Sequence, residues 1–193
     1  MSAASLREST SHALRSWTAP DPEQDSLRHT YLAFLDASPD ACLRANEPGH
    51  ITASAIVFDA ELRHVLLTLH PRVGRWIQLG GHCEPADTAL ADAAAREARE
   101  ESGLDTLRLS SEPVHLHTHP ITCSLGIPTR HLDIRYAAVA APTDTGSPPE
   151  VVRSDESTDL AWWPVHGLPD DDSDMEILVE RGLEVLRRPG RPA

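Results

Sequence analysis

The sequence predicts an α/β domain with a mixed sheet, preceded by a helical N-terminal extension. Residues 1–48 carry apolar side chains at helical spacing, whereas strand-like runs of apolar and β-branched residues begin near His50. An Ala-rich helical segment interrupts the strands and an amphipathic segment follows them. This order favours mostly antiparallel strands with helices packed on them. We therefore expect an extension over 1–48 and a domain over 49–193.

Two segments of the extension have helical signals. Leu6, Leu14 and Trp17 predict a helix over 5–17. Asp21 and Pro22 are the residue types of an N-cap and a first helical position, and apolar residues at near-helical spacing follow them. We therefore predict a second amphipathic helix over 22–37.

The domain begins with two β-rich segments, 51–60 and 63–70, joined by a turn at 59–62. A loop rich in Gly and Pro at 71–88 leads into a helix over 88–102, with Asp87 or Thr88 as the N-cap and Gly103 as the stop signal. The remaining predicted elements are strands at 107–111, 114–120, 131–141 and 160–165, and a closing helix at 172–188.

Composition limits the compartment and the partners. The chain has 193 residues, of which 40% are hydrophobic, as in a globular protein. Its formal net charge of -13 disfavours nucleic acid polymers and anionic membranes as partners. The cysteines Cys42, Cys83 and Cys123 form no CxxC motif, and no signal peptide or membrane-length apolar run is visible. We expect a cytoplasmic protein that contacts neither nucleic acid polymers nor membranes.

The helical segment AAAREAREESGL carries an unusual acidic face. Glu97, Glu100 and Glu101 lie three and four residues apart, so their carboxylates share one side of the helix and repel one another. An all-oxygen cluster of this kind suits Mg²⁺ or Mn²⁺, which also bind substrate phosphates. The alternative is a solvated charged face that Arg96 and Arg99 neutralise.

Residues 79–104, which read LGGHCEPADTALADAAAREAREESGL, resemble the Nudix box. The second half of the box matches position by position from Arg96 to Leu104. The first half departs from the pattern: five residues after Gly81 comes Asp87 rather than Glu, and eight residues rather than seven separate Asp87 from Arg96. The wider resemblance covers about 50 to 188, including a strand pair before the box and a tryptophan-containing strand after it.

The resemblance implies an α/β/α sandwich and hydrolysis of a small-molecule diphosphate, often of a nucleoside. It implies that Glu97, Glu100, Glu101 and the carbonyl of Gly80 bind the metal. Arg96 would tie the helix to the loop acid, here Asp87. A metal-bound water would attack phosphorus.

The resemblance leaves the general base open between a box glutamate and a later loop acid. Our catalytic candidates are Glu101, which would combine ligand and base roles, Glu100, and Glu156. An ordinary loop carboxylate is the alternative for Glu156.

Three further residues are candidates for substrate binding. Arg135 could bind a phosphate, with a cross-strand ion pair as the alternative, and Trp76 could stack on a base. His117 could line the cleft. It belongs to an alternating set, His115, His117 and His119, which with His131 could instead bind a transition metal. Pro120 is expected to end that strand.

We therefore predict an Mg²⁺-dependent (or Mn²⁺-dependent) Nudix hydrolase that cleaves a diphosphate linkage in a nucleoside diphosphate-type substrate, with a homodimer as the candidate assembly. One alternative is a non-catalytic nucleotide-binding module. Another is a prenyl diphosphate isomerase, which would need an active cysteine, yet nothing around Cys83 or Cys123 marks either for that role.

Overall fold

The computed structural model describes residues 3–122, 126–169 and 172–188. Within these ranges the chain forms four helices, α1 Ala3–Ser16, α2 Pro22–Ala37, α3 Leu90–Ser102 and α4 Ser173–Leu186. It also forms eight strands, β1 His50–Phe58, β2 His64–Leu69, β3 Trp76–Ile77, β4 Leu79–His82, β5 Leu107–Leu109, β6 His115–Thr122, β7 Pro128–Ala140 and β8 Asp159–Pro164.

The strands form one mixed sheet with β1 and β7 at its centre. These two strands run parallel, with His50 opposite His131 and Phe58 opposite Val139. Every other strand pairing in the described ranges is antiparallel, including β1 with β4 and β7 with β6. The sheet order is β3-β2-β1-β7-β5, with β4 beside β1, β6 beside β7 and β8 beside β2.

Helices cover both faces of this sheet, so the predicted α/β/α sandwich is confirmed. Residues that alternate along a strand face opposite sides, and the two sides of β1 have different neighbours. Ile51 and Ala53 pack in a core that includes residues of α1, α2 and α3. Ile56 and Phe58 pack in another core with residues of α4.

The N-terminal helices belong to the first of these cores. Leu14 and Leu35 are fully buried in the cluster that contains Ile51 of β1. The side chain of Gln24 in α2 forms two hydrogen bonds with the backbone of Leu116 in β6, and the hydroxyl of Tyr31 donates to the carbonyl of His117. The extension therefore shares its core with the sheet, while a domain boundary at residue 48 stays a prediction.

Helix starts show one success and one error. Asp21 caps α2 by accepting the Gln24 N–H at 2.8 Å, and Pro22 is the first helical residue, as predicted. Helix α3, however, begins one or two residues later than expected, with Ala89 as its N-cap. The carboxylate of Asp92 accepts the Ala89 N–H at 3.0 Å and replaces the expected cap from Asp87 or Thr88.

Two strand predictions also need correction. The segment 71–88, predicted as a loop, contains β3 and β4, which are too short to show a strand period, and two of the four residues of β4 are glycine. Pro120 does not end β6, which continues to Thr122 with Pro120 opposite Arg130. A proline is tolerated there because β6 pairs only with β7 among the described strands, so its outer edge needs no strand hydrogen bond. In the same ranges, we find no helix with the length and apolarity required to cross a bilayer.

Candidate active site

Two glycines in the middle of β4 allow neighbouring elements to approach its backbone closely, strand β1 at Gly80 and helix α3 at Gly81. Gly80 has φ +148°, and a Cβ added there would lie 2.3 Å from the Cβ of Ser54. A Cβ added at Gly81 would lie 2.7 Å from Oε2 of Glu97. These positions require glycine because the Ser54 side chain and the Glu97 carboxylate occupy the space.

Helix α3 is held firmly against the sheet beside these two glycines. Ala93, Ala94 and Ala98 are completely buried, and such small side chains let the helix lie close to the sheet. Gly103 then ends the helix in the left-handed conformation, and its N–H donates to the Arg99 carbonyl at 2.8 Å, as the sequence predicted. The acidic face is thereby fixed beside Gly80 and Gly81 of β4.

Glu101 is the most buried of the three box glutamates, with 6% of its surface exposed. Its Oε2 accepts the Gly80 N–H at 3.0 Å. Burial raises the pKa of Glu101 to about 8; the Gly80 hydrogen bond opposes this rise, and the charges of Glu97, Glu156 and Glu100 add to it. A carboxylate in such surroundings is stabilised by any cation placed beside it.

Glu97 lies in similar surroundings. Burial raises its pKa, the charge and hydrogen bond of Arg96 oppose the rise, and the charges of Glu100 and Glu156 add to it. Glu97 and Glu101 therefore share an environment that disfavours negative charge, which is the electrostatic condition for a cation site.

Arg96 joins α3 to the preceding loop. Its Nε and Nη2 donate to the two carboxylate oxygens of Asp87 at 3.2 and 3.1 Å, and Nη2 also donates to the His82 carbonyl at 2.9 Å. The partner implied by the resemblance is therefore present, although Asp87 is shorter than glutamate and displaced by one residue. The remaining nitrogen, Nη1, donates to Glu97 at 2.9 Å and to Glu100 at 3.0 Å.

These contacts orient the three glutamates differently. Glu97 and Glu101 face Gly81 and Gly80 of β4, whereas the side chain of Glu100 is 59% exposed and turned toward Arg96. Consequently the three carboxylates do not converge on one point. Their oxygen atoms do not all lie within 4.8 Å of one another, as the ligand atoms of a preformed metal site would. Each glutamate still has one oxygen that accepts no hydrogen bond from the described residues, so oxygen donors for Mg²⁺ are present. Glu100 has to turn away from Arg96 before its carboxylate can bind the same ion as Glu97 and Glu101.

Glu156 lies exposed in the loop before β8. Its charge acts on both Glu97 and Glu101, whose pKa values it helps to raise. The structure thus brings the loop acid toward the box glutamates, although 55 positions along the sequence separate it from Glu101. Its catalytic role stays a prediction.

Arg135 is engaged with protein carboxylates. It is 3% exposed, its Nε donates to Asp133 at 3.0 Å, and its Nη1 donates to both oxygens of Asp174 at 2.9 Å. Asp133 also accepts hydrogen bonds from Thr52, Ser54 and Gln78. The ion pair that we considered as the alternative for Arg135 is therefore present, within one strand rather than across strands, and phosphate binding stays a prediction.

The other two substrate-binding candidates, His117 and Trp76, lie in different parts of the sheet. His117 stacks on His119 with ring centroids 5.4 Å apart, on the same face of the sheet as Arg135. Trp76 packs edge-on against Trp163 at 5.3 Å, beside the core under α4. The structure therefore places His117 among the polar residues of the sheet and Trp76 at an aromatic pair, and neither placement tests a contact with substrate.

A histidine cluster differs from the one that alternation suggested. The histidines whose ring nitrogens come together are His50, His82 and His131. The predicted set, HxHxH at 115–119 with His131, does not converge in this way. Sequence reasoning missed His50 and treated His82 as an ordinary loop residue. The available signal was weak: His50 and His131 each lie near the start of a long strand.

The cysteines lend no support to isomerase chemistry. Cys83 is buried in the core with α3, and this burial raises the pKa of its thiol. Cys123 lies outside the described residues.

Comparisons with known proteins agree with this fold. A sequence model of the NUDIX domain matches residues 48–181. No curated protein matches the chain. Among solved structures, the chain is similar to a hydrolase of the NUDIX family from Clostridium perfringens, with 24% identity, a TM-score of 0.54, and 72% of this chain and 98% of the other covered. It is also similar to the Escherichia coli dihydroneopterin triphosphate pyrophosphohydrolase, with 15% identity, a TM-score of 0.51, and 72% and 96% covered. These two likenesses concern the fold.

Proposed function

Since the chain belongs to the NUDIX domain family, which supports a hydrolase acting on diphosphates, we propose that it cleaves a diphosphate linkage in a nucleoside diphosphate-type substrate with the help of Mg²⁺ or Mn²⁺. The observation that carries this proposal is the position of Glu97 and Glu101 against Gly80 and Gly81 of β4. A partly buried and a buried carboxylate without a matching number of cations are costly unless a ligand neutralises them.

Glu97, Glu100 and Glu101 would hold the metal, together with the carbonyl of Gly80. When bound, Mg²⁺ would neutralise the diphosphate and acidify a water molecule. The formal net charge of -13 makes this requirement stronger, since an anionic substrate is otherwise repelled. Arg96 would keep the loop and helix aligned, through Asp87 and the His82 carbonyl.

We assign the proton-accepting role to Glu101. Its Oε2 is anchored on the Gly80 N–H, which fixes the carboxylate, so that Oε1, the oxygen left to contact the metal, would accept the proton of a water bound to that metal. Glu156 is the second candidate, because its charge already acts on Glu101.

The test measures phosphate and pyrophosphate release from a panel of nucleoside diphosphate and triphosphate derivatives, with and without Mg²⁺. We expect metal-dependent turnover in the wild type and a loss of at least about 100-fold in kcat/KM in Glu97→Gln and Glu101→Gln. Glu180→Gln, an exposed carboxylate of helix α4, is the matched control and should keep wild-type rates.

The same assays separate the alternatives. The kcat/KM of Glu156→Gln should fall as far as that of Glu101→Gln only if Glu156 is the base. Turnover that does not need a divalent cation, or that survives both box substitutions, would contradict the proposal. Nucleotide binding without products would instead favour the regulatory module.

We also propose that the protein acts in the cytoplasm, and as a homodimer whose protomers each carry a domain over 49–193 and the helical extension over 1–48. Light scattering coupled to size-exclusion chromatography measures the mass in solution. A single species near 21.1 kDa would rule out the dimer.

A further inference from the structure

Strand register brings three histidines together on one face of the sheet. His50 and His131 are directly opposite each other in the parallel pair β1–β7. His82 of β4 is opposite Thr52, two residues beyond His50, and therefore faces the same side. Three separate strands thus contribute one imidazole each.

The three rings form a nearly equilateral triangle. Ring centroids are 4.9 Å apart for His50 and His131, 5.1 Å for His50 and His82, and 5.1 Å for His82 and His131. One ligand nitrogen from each ring lies within 4.8 Å of the other two. His119, opposite His131 in strand β6, has its ring 5.2 Å from that of His131.

Hydrogen bonding leaves ligand nitrogens directed into buried space. Nδ1 of His50 is 3.3 Å from the carbonyl oxygen of Asn46, which can only accept, so the proton is on Nδ1 and Nε2 carries a lone pair. His50 is 1% exposed, and its Nε2 has no hydrogen-bond partner in the described residues. Nε2 of His131 is likewise buried and, within the same ranges, unpartnered.

The electrostatics keep these rings neutral. Burial is the main cause that lowers the pKa of His82 to about 3 and that of His131 to about 4, and the neighbouring histidines contribute to both decreases. Burial also lowers the pKa of His50, against the raising effect of the Asn46 carbonyl. Neutral imidazole is the form that binds metal ions.

We propose that His50, His82 and His131 form a second metal site, selective for a divalent transition metal of the Zn²⁺ type and separate from the carboxylate site on α3. Three imidazoles with an open fourth position are a frequent zinc ligand set, and the hydrogen bond from Nδ1 of His50 to a backbone carbonyl is the usual support of a zinc-bound histidine. His119 or water could fill the fourth position.

A cation accounts for this arrangement better than an anion does. An oxyanion needs N–H donors, but Nε2 of His50 carries a lone pair and would need a second proton to donate. A transition metal accepts lone pairs from all three rings at once, and it satisfies the buried nitrogens that otherwise cost free energy. Mg²⁺ suits oxygen ligands and is a poor match for an all-imidazole set.

The experiment uses full-length protein stripped with a chelator and then titrated with Zn²⁺ in the presence of millimolar Mg²⁺. We expect one Zn²⁺ to bind and to raise the melting temperature, and Co²⁺ to give the visible absorption bands of a nitrogen-ligated site. His131→Gln and His82→Gln should weaken Zn²⁺ binding by at least about 100-fold. His166→Asn, at an exposed loop position, should bind as the wild type does.

Two further measurements keep the outcome decisive. If a ligand substitution prevents folding, imidazole ¹⁵N shifts of the wild-type protein report Zn²⁺ on Nε2 of His50 directly. Zn²⁺ binding should persist in Glu97→Gln/Glu101→Gln, which separates this site from the proposed catalytic one. The proposal is overturned if the wild type binds no Zn²⁺ beside excess Mg²⁺, if the histidine variants bind equally well, or if the glutamate variant abolishes binding.

Discussion

Arg96 shows how a single side chain organises the region around α3. Its guanidinium reaches Asp87, the His82 carbonyl, Glu97 and Glu100 at distances between 2.9 and 3.2 Å. The planar fork of arginine matches the two oxygens of Asp87, which a lysine cannot do. Asp87 is shorter than glutamate and displaced by one residue, but the Arg96 side chain is long enough to bind it.

Arg96→Lys should destabilise the protein by about 2–3 kcal/mol, since the bidentate pair and the carbonyl contact are lost while Asp87 stays buried. Urea denaturation measures this change. Arg99→Lys, on the exposed side of the same helix, is the control and should stay within about 0.5 kcal/mol of the wild type. Equal effects of the two substitutions would contradict the role of Arg96.

Asp59, in the turn between β1 and β2, is a second residue with concentrated contacts. Its Oδ1 accepts the N–H groups of Arg63 and His64 at 2.7 and 3.0 Å, and its Oδ2 lies 2.9 Å from Nδ1 of His64. Burial disfavours the charged form, but the hydrogen bonds from His64 and Arg63 outweigh burial, so the pKa of Asp59 lies below its usual value.

Asp59→Asn should cost about 1–3 kcal/mol of unfolding free energy at neutral pH, because charge-assisted hydrogen bonds are lost. The folded-state pKa lies below the unfolded value of about 3.9, so the charge stabilises the fold above that pH and ceases to do so as the pH falls through the folded-state pKa. Urea denaturation from pH 7 down to the acid limit of folding should show the difference shrinking below about pH 4. A difference that grew with acidity would contradict this assignment.

Among the elements, strand β4 contains two glycines at which an added Cβ would overlap neighbouring atoms. Gly80 combines a positive φ with a close approach to Ser54, whereas Gly146 has φ +68° and no heavy atom within 4 Å of an added Cβ. An alanine at Gly146 would therefore meet backbone strain alone, whereas an alanine at Gly80 would meet both strain and steric overlap.

Gly80→Ala should destabilise by at least about 3 kcal/mol, because both the strain and the overlap with Ser54 apply. Gly146→Ala should cost only about 1 kcal/mol, from strain alone. Thermal denaturation of the two variants measures the difference. Similar losses would mean that the β4 backbone can shift away from β1.

The elements also show which features sequence reasoning could reach. Apolar periods identified α2 and β7, composition identified β1 and α3, and Asp21 and Gly103 marked helix ends correctly. In contrast, β3 and β4 have two and four residues, which is too short for a period to emerge. Local patterns therefore predict long elements well and short ones poorly.

The histidine cluster illustrates a second limit. Alternation along a strand sets neighbours on one face roughly 7 Å apart, so HxHxH drew attention to residues that are close in sequence. The rings of His50 and His131 approach through pairing between strands 81 positions apart in sequence. A sequence does not specify that register until the sheet order is known. The box glutamates were predictable because one helix carries all three.

At the scale of the whole molecule, the N-terminal helices and the sheet share one core. Leu35 of α2 is fully buried in the same cluster as Ile134 of β7 and Ala93 of α3. Because the apolar contacts cross between the extension and the sheet, we expect both to unfold in a single transition.

Leu35→Ala should lower the free energy of unfolding by about 2–5 kcal/mol, as a cavity in a closed core does. Far-UV circular dichroism and tryptophan fluorescence should report the same midpoint. Ile177→Ala, at an exposed apolar position of α4, should have little effect. Separate transitions would show that residues 1–48 fold independently.

Helix α2 also affects whether strand β6 can pair with a strand of another molecule in a concentrated solution. The amide of Gln24 takes the carbonyl and N–H of Leu116, and Tyr31 takes the carbonyl of His117, as a further strand would. The N–H and carbonyl of Leu116 are consequently unavailable to a strand of another molecule, and covering a strand edge in this way is how natural sheets avoid edge-to-edge aggregation. Helix α2 therefore protects this part of β6 from pairing with another copy of the protein.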